Sequence, residues 1–194
     1  MNIKQEIIDR NITKGRALDP YGHQGKVQYI ILHTEDDSVA QTQEGVAAWF
    51  EMTQAHASAH YLVGLDGGLI QCVLEADTAW HAANWLVNLQ SIGIEHEDNG
   101  NPNDAMRTDA LYASAAQLVA DICKRNNIPC KLVDTVTVYL PNGANGTVKV
   151  LYPREPGILM HKQVSLSGTM CPGGLNCNRI VAQASAILAG QIQT

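Results

Sequence analysis

His161 and Cys171 stand ten residues apart in the stretch Gly157-Ile158-Leu159-Met160-His161-Lys162-Gln163-Val164-Ser165-Leu166-Ser167-Gly168-Thr169-Met170-Cys171-Pro172-Gly173-Gly174. An apolar run delivers the histidine, a small polar loop follows, and the cysteine closes it. Neutral imidazole and thiolate are the donors that a borderline-soft ion such as zinc prefers, usually four to the ion. Two donors from one loop need partners from elsewhere. His33, at the end of the run Val27-Gln28-Tyr29-Ile30-Ile31-Leu32, is the best of them. Three protein donors would leave a fourth position for water, the pattern of catalytic zinc. The rival chemistry is a cysteine nucleophile at Cys171 with His161 as its base. Such a thiol needs a helix N-terminus or a cation to activate it, and Pro172-Gly173-Gly174 starts no helix.

The elements that must position these side chains follow from the pattern around them. Residues 27–32 are apolar on both parities, which predicts a central strand buried on two faces, with His33 where it emerges. Thr42 caps a helix through about residue 54, with Val46, Trp49, Phe50 and Thr53 as its buried stripe. Ser58–Val63 and Leu69–Leu74 read as strands joined at the turn Asp66-Gly67-Gly68. An Ala/Asn-rich loop over 77–85 then carries Trp80-His81 and Trp85. In the short strand Ser91–Glu95, Ile92 and Ile94 share one face, which puts Gly93 and Glu95 on the other. A carboxylate beside a glycine has open space above it for a small group to approach; a solvated edge-strand glutamate is the alternative.

Thr108 opens the longest helix, with Leu111, Ala115, Leu118 and Ile122 as its stripe, Lys124 and Arg125 in the last turn and Pro129 beyond. Val133–Leu140 and Thr147–Leu151 alternate like strands about the turn cluster Pro141–Gly146. The hairpin over residues 134–156 is expected either to wall one side of a substrate groove or to be a plain edge hairpin. Asn178 caps a closing helix whose stripe is Val181, Ala184, Ile187 and Leu188. Strands and helices on this spacing predict an α/β fold, a single domain with a central mixed β-sheet flanked by helices. An N-terminal arm over residues 1–26 precedes the domain proper at 27–194.

Composition narrows the classes of partner. The 194 residues suit one domain. A net charge of −6 without a Lys/Arg-rich block argues against nucleic acid. Five cysteines, an odd number with no CxxC pair, fit a reducing compartment; Cys72, Cys123, Cys130 and Cys177 read as small core residues. No apolar signal segment follows Met1, and no apolar run approaches the roughly 18 residues that span a bilayer. The expectation is a monomer synthesised in the cytoplasm and not embedded in membrane. His23 and His96 read as surface residues.

Several motifs also fall in one order: Ile31-Leu32-His33-Thr34; Ser58-Ala59-His60-Tyr61-Leu62-Val63 with Asp66-Gly67; Ala79-Trp80-His81-Ala82; Ser91-Ile92-Gly93-Ile94-Glu95; and His161 followed by Thr169-Met170-Cys171-Pro172-Gly173. Together they resemble the zinc-dependent N-acetylmuramoyl-L-alanine amidases of the type-2 amidase and peptidoglycan-recognition superfamily, over residues 27–189. The resemblance implies Zn²⁺ held by His33, His161 and Cys171. It implies peptidoglycan as substrate and cleavage of the amide joining N-acetylmuramic acid to L-alanine of the stem peptide. It also implies Glu95 as the catalytic carboxylate, and His60, Trp80 and His81 along the substrate groove.

Many members carry Lys two residues before the third ligand, where this chain has Thr169; members with Thr there often have Tyr in place of Ala59. Zinc itself, the Thr169 hydroxyl and His60 are then the groups left to stabilise an oxyanion. The expected setting is a phage or prophage endolysin that acts on the cell wall after release. The alternatives are a cytosolic muropeptide-recycling amidase, whose members typically present Asp as third ligand, and a non-catalytic peptidoglycan-binding module, which has no need of the metal.

Overall fold

A computed structural model describes residues 1–17, 25–35, 42–98, 107–141 and 146–192. His23 and the centre of the expected turn at Pro141–Gly146 lie outside the described residues, as does part of the N-terminal arm.

The apolar run forms β3 (Tyr29–Leu32), buried at all four positions. Both its edges are paired in parallel, to β7 (Ser91–His96) and to β10 (Gly157–Met160). β4 (Tyr61–Val63) runs parallel to β7, and β5 (Leu69–Gln71) returns antiparallel to β4 through the Asp66-Gly67-Gly68 turn. Gly67 has φ +82°, and Gly68 N–H donates to Asp66 Oδ1 at 2.7 Å, so this corner needs its glycine. β1 (Lys4–Gln5) completes a six-stranded mixed sheet of order β1-β5-β4-β7-β3-β10.

Strand parity sorts side chains into layers. Ile30, Leu32, Ile92, Ile94 and Ile158 share a core with α3 (Asp109–Asn126) and α5 (Cys177–Leu188). Tyr29, Ile31 and Leu159 cluster with Ala82, with Val87 of α2 (Trp85–Asn88) and with Val164 of α4 (His161–Val164). A third cluster joins Leu62 and Ile70 to α1 (Gln43–Phe50). The α3 stripe is buried as expected; Thr108 Oγ1 accepts from Leu111 N at 3.1 Å, and Asn127 ends the helix at φ +55°.

Two helices differ from expectation. α1 buries Gln43, Val46, Ala47 and Phe50 and leaves Trp49 40% exposed, because one face at i, i+3, i+4 and i+7 already fills the space over Leu62. α5 is capped by Asn176, whose Oδ1 accepts from Arg179 N at 3.0 Å, not by Asn178. The earlier start makes Cys177, Ile180 and Ala184 the buried line and leaves Leu188 exposed.

The N-terminal residues do more than lie over the domain. β1 is a sheet edge, β2 (Ile12–Thr13) pairs with β6 (Thr78–Ala79), and Ile8 sits 1% exposed in the α1 cluster. The Arg16 guanidinium donates to the carbonyls of Leu89 and Ser91, each at 3.1 Å. β8 (Thr135–Pro141) and β9 (Thr147–Pro153) form a separate antiparallel pair, tied to the domain by Asn84, which donates to Leu151 O at 2.7 Å and Val164 O at 3.0 Å. No helix among the described residues is long and apolar enough to cross a membrane.

The burial of Ile8 makes the role of this segment measurable. Ile8→Ala should cost about 2–5 kcal/mol in denaturant unfolding; a loss under about 0.5 kcal/mol would mean that the segment only rests on the surface.

Candidate metal and catalytic site

The parallel registers pair Met160 with Leu32 and Leu32 with Ile94. One step further along each strand stand His161, His33 and Glu95. They therefore fall in one row across three neighbouring strands, about 4.8 Å apart, at the carboxyl ends where open parallel sheets bind ligands. Their parity is that of Ile31 and Leu159, so all three project on the face opposite α3 and α5.

Cys171 reaches this row from the loop after α4. Lys162 N donates to its carbonyl at 2.8 Å, its own N–H donates to Thr169 Oγ1 at 3.0 Å, and Thr34 N–H donates to its Sγ at 3.3 Å. Single ligand atoms of His33, His161 and Cys171 all lie within 4.8 Å of one another. His33 Nδ1 is 3.8 Å from Cys171 Sγ and 3.8 Å from Glu95 Oε1. The Ala82 carbonyl accepts a hydrogen bond from His161, whose buried Nε2 has no partner among the described residues.

Burial, and then the nearby rings of His161, His81 and His96, push His33 well below its ordinary range. His161 is lowered to about 4, chiefly by burial. Imidazoles held neutral are in the form that binds metal. Two such nitrogens and a thiolate, with one nitrogen buried and unpaired, make a donor set that fits zinc. Beside it, burial and then the Asp98 charge push the Glu95 carboxyl up to about 8. A cation in the site would draw that value down.

The row floors a cavity of about 390 Å³. Trp80, His81 and Thr169 line it together with His33, Glu95, His161 and Cys171. Trp80 is fixed by Nε1–H donating to Thr13 Oγ1 at 3.1 Å, so the N-terminal segment helps to shape the wall.

Two expectations about this region are corrected. His60 does not line the cavity: it is fully buried, its Nδ1 accepts from Gly93 N at 3.1 Å, and its Nε2 lies 3.3 Å from the Asp77 carbonyl. The space above Gly93 is not open, since a Cβ there would come within 2.5 Å of His81 Cγ. The hairpin of β8 and β9 supplies no lining residue among those described.

The sequence reading also missed two residues. His96 faces away from Glu95, yet that face is covered, and Nδ1 of the fully buried ring donates to the His33 carbonyl at 2.7 Å. Glu35 lines the cavity, 5% exposed, with neither carboxyl oxygen hydrogen-bonded among the described residues. Burial, followed by the Glu95 charge, pushes it up to about 9. Its placement two residues beyond His33, on the same parity, was the available signal.

Buried neutral rings make the fold acid-sensitive. Burial, reinforced by Arg16, lowers His60 to about 3, and burial lowers His96 to about 4, from an ordinary 6.5. The unfolded chain then binds protons that the folded chain does not. Stability present above pH 6.5 is lost as the pH falls toward the folded values, at up to about 1.4 kcal/mol per pH unit for each ring. His60→Asn keeps an acceptor for Gly93 N and should flatten the dependence of unfolding free energy on pH below 6.5 by up to one proton. An unchanged slope would show that His60 already titrates in the folded protein.

Comparison with known proteins places this arrangement. The family described as N-acetylmuramoyl-L-alanine amidase matches residues 23–174. N-acetylmuramoyl-L-alanine amidase A of Achromobacter lyticus is 40% identical over 103 residues, 52% of this chain and 54% of that protein. The chain thus spans about half the length of this curated relative. Among solved structures, a mutant endolysin from Bacillus subtilis has a TM-score of 0.61 at 22% identity, covering 95% of this chain and 99% of that one. The PlyG catalytic domain gives 0.64 at 21%, covering 100% and 98%, and an AmpD derivative gives 0.61 at 19%, covering 93% of each. At these identities the structures speak for the fold alone. The family match runs through His33, Glu95, His161 and Cys171, and this chain belongs to the N-acetylmuramoyl-L-alanine amidase family.

Proposed function

We propose that this chain hydrolyses the amide between the lactyl carboxyl of N-acetylmuramic acid and L-alanine of the peptidoglycan stem peptide, with zinc held by His33, His161 and Cys171. The observation that carries the reading is the convergence of these three donors within 4.8 Å on a cavity floor, with Glu95 Oε1 3.8 Å from His33 Nδ1. Zinc with three protein ligands supplies a lowered pKa for a water and polarisation of the scissile carbonyl.

The chain's own groups do the rest. Glu95 takes the proton from water as its oxygen adds to the carbonyl carbon. It then returns that proton to the nitrogen as the C–N bond breaks, giving a carboxylate and a free L-alanine amine. Thr169 Oγ1 already accepts from Cys171 N, which leaves its proton for the substrate oxygen. Trp80 offers a fixed aromatic wall to the sugar or the peptide. His81 lines the same cavity, and His60, behind it, supports the wall and not the substrate.

A wall-lytic role of the endolysin kind is supported by Cys171 as third donor, since the recycling amidases that the sequence resembles typically carry Asp there. Such an enzyme should release L-alanine amino termini from intact cross-linked peptidoglycan at least as readily as from soluble muropeptides. The opposite preference would favour recycling.

Two measurements test the chemistry. Purified protein should carry close to one equivalent of zinc, and His33→Ala should carry almost none; equal metal content in both would remove the reading. Glu95→Gln keeps the shape but cannot accept a proton, and turnover should fall by about 10² to 10⁴-fold with zinc retained. Near wild-type turnover in Glu95→Gln, with loss in Thr169→Ala, would assign the proton to another residue.

A further inference from the structure

His81 lines the cavity, but both its ring nitrogens are engaged from behind. Nε2 lies 3.1 Å from Ser91 Oγ, and Ser91 Oγ lies 2.6 Å from the Val87 carbonyl. A carbonyl brings no proton, so the serine hydroxyl must donate to it. The serine oxygen is then an acceptor toward His81, and Nε2 of His81 carries hydrogen. In a neutral ring this leaves Nδ1 bare. That bare nitrogen is 3.0 Å from His33 Nε2, which must therefore be the protonated nitrogen of His33. The remaining nitrogen of His33, Nδ1, is left with its lone pair directed among Cys171 Sγ and Glu95 Oε1, at 3.8 Å each.

We propose that His81 is a positioning residue: with Ser91 and the Val87 carbonyl it holds His33 in the single tautomer whose Nδ1 is free to bind metal. The surroundings are built for this. Gly93 has no side chain where one would strike the His81 ring. Asn88 Oδ1 accepts from the backbone N–H groups of His81 and Ala82, at 3.2 and 2.8 Å, and fixes the backbone from which the ring projects. The two ring planes stand at 86° with 5.1 Å between centroids, and the facing nitrogens are 3.0 Å apart. His96 holds the His33 carbonyl from the other face of the sheet. A ring so held can neither flip nor exchange tautomers without breaking the chain of bonds.

This rests on His33 being a metal donor, yet the tautomer belongs to the protein alone and is readable without metal. Long-range ¹H–¹⁵N spectra of metal-stripped protein should show His33 and His81 both protonated at Nε2. His33 protonated at Nδ1 would overturn the proposal. Competition with a chromophoric chelator then gives the zinc affinity. His81→Leu and the milder Ser91→Ala should each weaken it by about 10 to 100-fold. His81→Asn, whose Oδ1 can accept in place of Nδ1, should restore most of the loss. Affinity unchanged in both His81→Leu and Ser91→Ala would refute the relay, as would equal losses in His81→Leu and His81→Asn. A wild type that binds no zinc while His33 remains the Nε2–H tautomer would instead refute the metal reading.

Discussion

A slip of one residue between β3 and either of its parallel neighbours would turn one of His161, His33 and Glu95 toward the helix layer, because side chains alternate along a strand. The site depends on this register. Met160, Leu32 and Ile94 are locked in a row by the core they share with α3 and α5, and the functional row is the next one along. Burial of apolar side chains on one face thus sets the geometry of polar ones on the other. Donors from residues 33 and 161, far apart in the chain, meet without either needing a loop to place it.

The cost of such a site is desolvation. Five imidazoles, at His33, His60, His81, His96 and His161, stand in or against one sheet, four of them almost wholly buried. Part of that cost is offset by particular partners: a serine and a second ring for His81, a backbone amide for His60, the His33 carbonyl for Nδ1 of His96. His161 Nε2, both carboxyl oxygens of Glu35 and Glu95 Oε2, buried without a partner among the described residues, belong to side chains that line the cavity; other such atoms, His96 Nε2 and Gln117 Oε1 among them, lie away from it.

Much of this was legible locally. Apolar residues on both parities marked β3 as central, the steps of four, three and four residues between Leu111, Ala115, Leu118 and Ile122 marked α3, and donor chemistry picked out His33, His161 and Cys171. What the pattern could not carry was long-range. Nothing near Ile8 announces that the N-terminus enters the core, and nothing near His96 or His60 tells that their partners lie on other strands. Gly93 was read as an opening for a ligand because its own neighbourhood holds no bulky group; the ring that fills the space comes from His81, on a separate loop. The hairpin of β8 and β9 precedes His161 in sequence, and Asn84 ties its strand β9 to Val164 of α4, yet none of its described residues lines the cavity.

The central claim is that a catalytic metal is held by two imidazoles and one thiolate with a position left open. Zinc-edge X-ray absorption on the purified protein tests it most directly. The account predicts one sulfur at about 2.3 Å and light-atom scatterers at about 2.0–2.1 Å, including two imidazoles and a further oxygen that inhibitor or substrate displaces. A spectrum with no sulfur, or with four protein donors and no exchangeable position, would contradict it.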